Sequence, residues 1–193
     1  MRSIFTLAIA SAILVFSSCS HKVTRIDPSE TPDINGSWNN TDSRMTADEM
    51  ISQTLTGTWL NEHVQGKGKK PVVIVGMVTN KSHEHIEAET FMNDLERSFI
   101  STSKVRLVQS GKKREEMRSE KADQQTNATT STLKKFGLEK GADYILQGSI
   151  NSIVDAYKRK KTVTYQVNLE LTDIQTNEVV WIGDKKIAKY VKN

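Results

Sequence analysis

The sequence clusters histidines with carboxylates in the run His83-Glu84-His85-Ile86-Glu87. Zinc proteases use two histidines four residues apart, which lie on one face of a helix and bind the metal together. Here the two histidines are only two residues apart, so they cannot share a helical face in that way. We therefore favour a polar loop that caps the following helix over a metal site.

Other patterns that carry chemistry are absent from the sequence. It contains no GxSxG nucleophile motif, no GxGxxG dinucleotide motif and no phosphate-binding loop of the Walker type. Its carboxylates are scattered over predicted helix faces, so a pair for glycoside hydrolysis cannot be assigned. One cysteine excludes a disulfide framework and a multi-cysteine metal site. We therefore expect a protein that is not an enzyme and that has no metal or other cofactor.

The single cysteine, Cys19, follows a segment with the three parts of a secretory signal peptide. Arg2 supplies the positive charge, residues 4–16 form the apolar run, and Ser17 and Ser18 are the small residues before the cleavage site. The run is too short to span a membrane comfortably. Residues 1–18 are interpreted as a signal peptide, with a buried core helix as the alternative. An ordinary cleavage site with Cys19 nearby by chance is the alternative to lipidation of this cysteine.

The segment Phe16-Ser17-Ser18-Cys19 is similar to the lipobox of bacterial lipoproteins. This resemblance implies that the Cys19 thiol carries a diacylglycerol and that cleavage leaves Cys19 as an acylated first residue. Two or more acyl chains make an anchor that does not dissociate readily. Because Ser20 follows, where an aspartate would imply retention in the inner membrane, we expect a lipid-anchored protein of the outer membrane that faces the periplasm.

Basic residues are the remaining signal of function. The chain has 27 Lys and Arg against 23 Asp and Glu, an excess too small to require a nucleic-acid partner. We predict that Lys158, Arg159, Lys160 and Lys161 form a docking face for an anionic partner protein, a lipid headgroup or a wall polymer. The alternative is that they protect an edge strand from aggregation. Further lysines lie on the last predicted strand, at positions 185, 186, 189 and 192.

The elements that must position these residues form one domain that follows a tether. Residues 19–44 are polar and contain two prolines, which is typical of an irregular tether. Trp38 is the exception, because a large aromatic residue in a linker usually docks on the neighbouring domain. We therefore expect ordered structure from about residue 33, and residues 45–193 form the domain itself.

Apolar residues at helical spacing predict the helices of this domain. In the first helix Ala47, Ile51 and Leu55 follow one another at intervals of four, and Ser43 or Thr46 can cap it. The predicted helices cover residues 46–63, 86–101, 112–121 and 131–140, with a polar loop before the last one.

Residues 163–172 give the clearest strand, because apolar and polar residues alternate strictly over ten positions. An uninterrupted apolar run at residues 71–78 indicates a strand that is covered on both faces. The other predicted strands cover residues 104–109, 143–154 and 179–182 with an extension toward residue 190. Helices separate the early strands and tight turns separate the late ones. The predicted fold class is α/β (α+β): a mixed sheet of about five strands, with a parallel βαβ part, an antiparallel C-terminal meander and helices packed on it.

Several stretches together resemble the LpoB family of outer-membrane lipoproteins. They read GSWNNTDSR at residues 36–44, PVVIV and TNK at 71–75 and 79–81, GADYILQG at 141–148, and LTDIQTNEVVW at 171–181. The resemblance implies a domain without catalytic activity that binds a regulatory domain of a penicillin-binding protein. Binding stimulates the glycan polymerisation and cross-linking of that peptidoglycan synthase.

The stretches at residues 141–148 and 171–181 are also similar to the wider group of TolB amino-terminal domains and CsgG-type secretion lipoproteins. A secretion or assembly component that oligomerises is therefore the alternative, and an envelope hydrolase is a third. The secretion component would need a long amphipathic hairpin to form a membrane barrel, but one sheet already accounts for all the alternating segments of the sequence. We expect a monomeric domain with a penicillin-binding protein or another envelope synthase as its partner.

Overall fold

A computed structural model of the chain describes residues 24–27, 32–127 and 139–192. The chain divides into two compact units, residues 1–30 and Thr31–Asn193. Cys19 and most of the helix expected at residues 131–140 lie outside the described residues. Every buried residue that the structure describes belongs to the second unit, so this unit contains its own core and is expected to fold by itself. None of the described helices is long and apolar enough to cross a membrane.

The described part of the second unit contains four helices and one five-stranded sheet. The helices are α1 (Asn40–Thr56), α2 (Thr58–Lys67), α3 (Ala88–Thr102) and α4 (Gly111–Asn127). The strands are β1 (Val72–Lys81), β2 (Arg106–Leu107), β3 (Tyr144–Tyr157), β4 (Lys160–Asp173) and β5 (Val179–Lys192). Their order in the sheet is β2-β1-β3-β4-β5. Strand β1 is parallel to β2 and β3, and β3, β4 and β5 are antiparallel, which confirms the predicted α+β fold with a mixed sheet.

The first predicted helix is two helices in the structure. Helix α1 begins at Asn40 because the Asn39 side chain accepts from the Asp42 amide while the Asp42 carboxylate accepts from the Asn39 amide. This reciprocal pair is a capping box. The caps predicted from the sequence were wrong, since Ser43 and Thr46 lie inside α1 and are buried. Gly57 then adopts an extended conformation and separates α1 from α2.

The core lies between one face of the sheet and helices α1, α2 and α3. The strict alternation predicted for β4 is confirmed, because its apolar side chains are buried and the residues between them remain half-exposed. They pack with buried side chains of the helices, among them Met50, Ile51, Phe91, Leu95 and Phe99. The opposite face of the sheet keeps large side chains in solvent, for example Ile153 and Ile182. At the start of β1, four successive residues are buried, as expected for a strand covered on both faces.

Residues 33–39, which we call the strap, lie against this core. The Trp38 ring meets Phe91 and Tyr165 edge to face, with centroids 6.2 and 5.5 Å apart. The Tyr165 hydroxyl donates to the Gly36 carbonyl at 3.3 Å. These contacts confirm that Trp38 docks on the domain.

A buried lysine also holds the strap. Lys189 of β5 donates through Nζ to Asp33 Oδ1 at 2.6 Å, to the Ser37 carbonyl at 3.0 Å and to Asp42 Oδ2. Burial by itself would lower the pKa of Lys189, but the two carboxylates outweigh it and raise that pKa above its ordinary value. The ammonium therefore joins the strap, α1 and β5.

The predicted extents of one strand and one helix were wrong. Strand β2 is limited to two residues, whereas six were expected. Helix α4 continues through residues 122–127, where the sequence indicated a loop, although none of its side chains is buried. Side-chain bonds one turn apart, such as Gln124 to Glu120 and Asn127 to Asp123, support this last part of the helix in the absence of an apolar face.

Candidate docking surface

The basic run predicted as a docking face surrounds the turn between β3 and β4. Lys158 and Arg159 form a two-residue turn, and Tyr157 and Lys160 pair across it. Lys158 adopts a φ of 53°, in the left-handed region that such tight turns require. Its ammonium lies 5.2 Å from the centre of the Tyr157 ring, within range of a cation–π contact. No ion pair of the described residues involves this run, and Lys158, Arg159 and Lys160 are exposed to solvent.

The strand register adds two tyrosines to these cations. Tyr157 is opposite Lys160, and Lys160 is opposite Lys192, so the three side chains share a face of the sheet. Tyr190 lies two residues before Lys192 and shares this face. Tyr157 and Tyr190 are 71% and 62% exposed. We call these residues the hairpin surface: Tyr157, Lys158, Arg159, Lys160, Tyr190 and Lys192.

Exposed tyrosine and arginine are the side chains that most often anchor protein interfaces. Sequence reasoning singled out the basic residues and missed both tyrosines. The period of two along β3 and β5 would have placed them beside the lysines, once the pairing of the strands was known.

The other predicted basic residues lie elsewhere. Lys161 is half-buried and pairs with Val191 on the helix-covered face, away from Lys160. Lys189 is already neutralised beneath the strap, and Lys185 is half-buried. The basic excess of the C-terminal strands is therefore divided between the two faces of the sheet.

The histidine and carboxylate run lies in the loop that connects β1 to α3. The loop was predicted, but its expected role as a cap was wrong, because the N-cap residue Glu87 makes no side-chain hydrogen bond to α3. The ring of His83 bonds through Nδ1 to the Ser152 hydroxyl at 2.6 Å, and its Nε2 lies 3.3 Å from Glu84. Glu84 also accepts from the Trp38 amide at 3.1 Å. Burial would raise the pKa of Glu84, but the Tyr165 hydroxyl and the Trp38 amide lower it. Within residues 24–27, 32–127 and 139–192, no group of three or more histidine, cysteine or carboxylate side chains could hold a metal.

A second titratable cluster, which the sequence did not reveal, lies at the start of β3. His63 Nδ1 is 3.0 Å from the Tyr144 hydroxyl, and its Nε2 is 3.9 Å from Asp143. Burial lowers the pKa of His63, although Asp143 opposes this shift. Asp143 accepts from the Val72 amide and from Lys67, and these bonds lower its pKa against the effect of burial. These contacts join α2, β1 and the start of β3, and the His63 side chain is fully buried among them.

The chain folds as an α+β domain with a mixed five-stranded sheet and an exposed basic hairpin. A model of the family described as Peptidoglycan-synthase activator LpoB matches residues 42–187. The chain therefore belongs to the LpoB family. The comparison with curated proteins gave no significant match.

Solved structures similar to this chain include two from the same family. The LpoB C-terminal domain from Escherichia coli is 19% identical, with 77% of this chain and 99% of that chain covered and a TM-score of 0.41. The LpoB C-terminal domain from Salmonella enterica is also 19% identical, with 76% and 98% covered and a TM-score of 0.41. Another similar structure is the lipoprotein GNA1162 from Neisseria meningitidis, at 14% identity, 62% and 83% coverage and a TM-score of 0.42.

Proposed function

We propose that this protein is a lipid-anchored outer-membrane lipoprotein that binds a penicillin-binding protein and activates it. It has no catalytic role of its own in this proposal, and the synthase supplies the chemistry of peptidoglycan synthesis. The observation that carries the proposal is the match of the activator family to residues 42–187, which include nearly all of the described core. The same match gives no support to the CsgG-type alternative.

The hairpin surface is proposed as the contact with the synthase. Its cations have no described ion-pair partner, and its two tyrosines offer exposed aromatic area. Charges at the rim of an interface mainly accelerate association with an oppositely charged partner. The proposed partner surface is therefore acidic. Lys161, which the sequence grouped with this run, is left at the edge of the contact because it lies on the other face.

The direct test uses residues 32–193, which contain the whole described core, and a purified penicillin-binding protein from the same envelope. The domain should bind the synthase and raise its rate of glycan polymerisation, and it should not hydrolyse peptidoglycan. Added salt should weaken binding, because exposed charges are screened beyond about 8 Å near physiological ionic strength. Absence of binding to every synthase tested would refute the proposal.

Charge reversal tests the contact itself. The triple variant Lys158→Glu, Arg159→Glu and Lys160→Glu should associate more slowly with the synthase while its melting temperature stays unchanged. The single variant Lys186→Glu is the control, because Lys186 is exposed on the same face but lies away from the turn. If the triple variant associates with the synthase at the wild-type rate, these residues are not the contact, and the alternative that they protect the sheet edge from aggregation is favoured.

Lipidation of Cys19 is part of the proposal and concerns a residue outside the described part of the chain. Metabolic labelling with a fatty-acid probe should mark the wild-type protein. The Cys19→Ala variant should lose the label and be released into the periplasm. Equal labelling of both proteins would contradict the lipid anchor. A single monomer peak of residues 32–193 in size-exclusion chromatography would agree with the expected monomeric state.

A further inference from the structure

A second basic surface lies at the opposite end of the sheet from the hairpin surface. Strands β1, β2 and β3 are parallel, so their first residues meet at one end, whereas the turn after β3 lies at the other. Several stretches that are distant in the sequence place exposed cations at this first end. They are Lys67, Lys69 and Lys70 before β1, Lys104 and Arg106 around the start of β2, and Lys140 before β3.

These cations line a groove, which we call the basic groove. It consists of two adjoining hollows of about 410 and 580 Å³ that share Lys70, Arg106 and Lys140 as walls. Lys69 lines the first hollow as well. The groove is large enough for several phosphate groups or for the headgroups that carry them.

The charge of the basic groove is almost unopposed. The one carboxylate among its lining residues, Asp143, already accepts from the Lys67 ammonium at 3.2 Å and from the Val72 amide at 2.8 Å. No described ion pair involves Lys69, Arg106 or Lys140. Clustered cations without counter-charges attract an anionic partner, and an arginine among them suits the forked geometry of phosphate oxygens.

We propose that the basic groove binds the phosphate groups of anionic phospholipids at a membrane surface. Clusters of four to eight lysine and arginine side chains are typical of sites that recognise anionic lipids. The groove and its rim present six such side chains from separate segments, more than a single free phosphate requires.

The length of chain outside the domain keeps a membrane within reach of the groove. The 14 residues from Cys19 to Pro32 can extend over at most about 45 Å. A domain anchored through Cys19 therefore stays close to the bilayer, and this setting rests on the lipid anchor of the proposed function. The strap joins the domain beside Lys189, near the hairpin end of the sheet. Lys189 lies opposite Val163, and the groove end of β4 is at Asp173, so the chain from Cys19 must cover about 33 Å along the sheet, which is within its reach. With the groove on the membrane, the hairpin surface would face away from it, toward a partner.

The test measures sedimentation of residues 32–193 with vesicles of phosphatidylglycerol and phosphatidylcholine, and with vesicles of phosphatidylcholine alone. The domain should bind the anionic vesicles selectively. The variant Lys69→Gln, Arg106→Gln and Lys140→Gln should bind on the order of a hundredfold more weakly, from about fivefold for each cation near an anionic surface. These three side chains make no described hydrogen bond, so the melting temperature should not change.

The matched control is Lys158→Gln, Arg159→Gln and Lys160→Gln, which also removes two lysines and one arginine. It should bind anionic vesicles within a few-fold of the wild type, because these residues lie at the other end of the sheet. An equal loss in both triple variants would reduce the effect to net charge and overturn the proposal. Equal binding to neutral vesicles would overturn it too.

Competition with a soluble phosphate compound distinguishes a membrane lipid from a free phosphate as the ligand of the groove. Glycerol phosphate at millimolar concentration should leave the domain on the vesicles. Its release would show a site for a free phosphate compound and overturn the membrane assignment. The synthase assay in solution contains no vesicles, so failure of lipid binding and failure of synthase activation are separate results.

Discussion

Replacing Lys189 by methionine should destabilise the domain by about 3–5 kcal/mol, the usual cost of removing one partner from a buried ion pair. The Lys189 side chain is 7% exposed and that of its partner Asp42 is 10% exposed, so methionine would leave the Asp42 carboxylate buried without its cation. Asp33 is 55% exposed and loses little, because solvent screens it. A domain of this size is stable by about 5–15 kcal/mol, so the loss would be a large fraction of its stability.

Urea unfolding of residues 32–193, followed by circular dichroism, measures this loss. Lys186→Met is the matched control, because Lys186 lies on the same strand, is exposed and has no described ion pair; it should change stability by under about 0.5 kcal/mol. Adding Asp42→Asn to Lys189→Met should restore part of the stability, since the amide oxygen can still cap α1 without a buried charge. Equal stability of the Lys186 and Lys189 variants would refute the reasoning, as would a double variant less stable than Lys189→Met alone.

Three further predictions concern the sheet. Val167→Asp should unfold the domain, because a buried unpaired carboxylate costs about as much free energy as the whole stability of the domain. Asn168→Asp, on the other face of β4, should cost under about 1 kcal/mol, and the melting temperatures of the two variants compare these effects. Gly148→Ala should cost about 1–3 kcal/mol in urea unfolding, since its Cβ would lie only 2.0 Å from the Asn168 carbonyl oxygen. Stability should fall above about pH 10, because the pKa values of Lys189 and Tyr165 are raised in the fold and their protons are held less tightly in the unfolded chain. A urea midpoint that is equal at pH 8 and pH 11 would contradict this last expectation.

Features that depend on residues close together in the sequence could be predicted from it. The alternation along β4 specifies which of its side chains are buried, because successive side chains of a strand point to opposite faces. Trp38 indicated that the segment before α1 docks on the domain, because so large an apolar surface is rarely left in water. Helix boundaries were less accurate, since Asn39 and Asp42 make a reciprocal cap that competes with the caps expected at Ser43 or Thr46.

The sequence by itself determined the α+β class, the mixed sheet and the position of the basic turn, because each follows from local periodicity and from the spacing between elements. Only the tertiary structure decided what each charge does. Lys189 is neutralised by carboxylates 147 and 156 residues away, and the cations of the basic groove come from stretches that meet only where parallel strands begin. Charges act through distance in space, and folding brings together residues whose separation along the chain carries no sign of it.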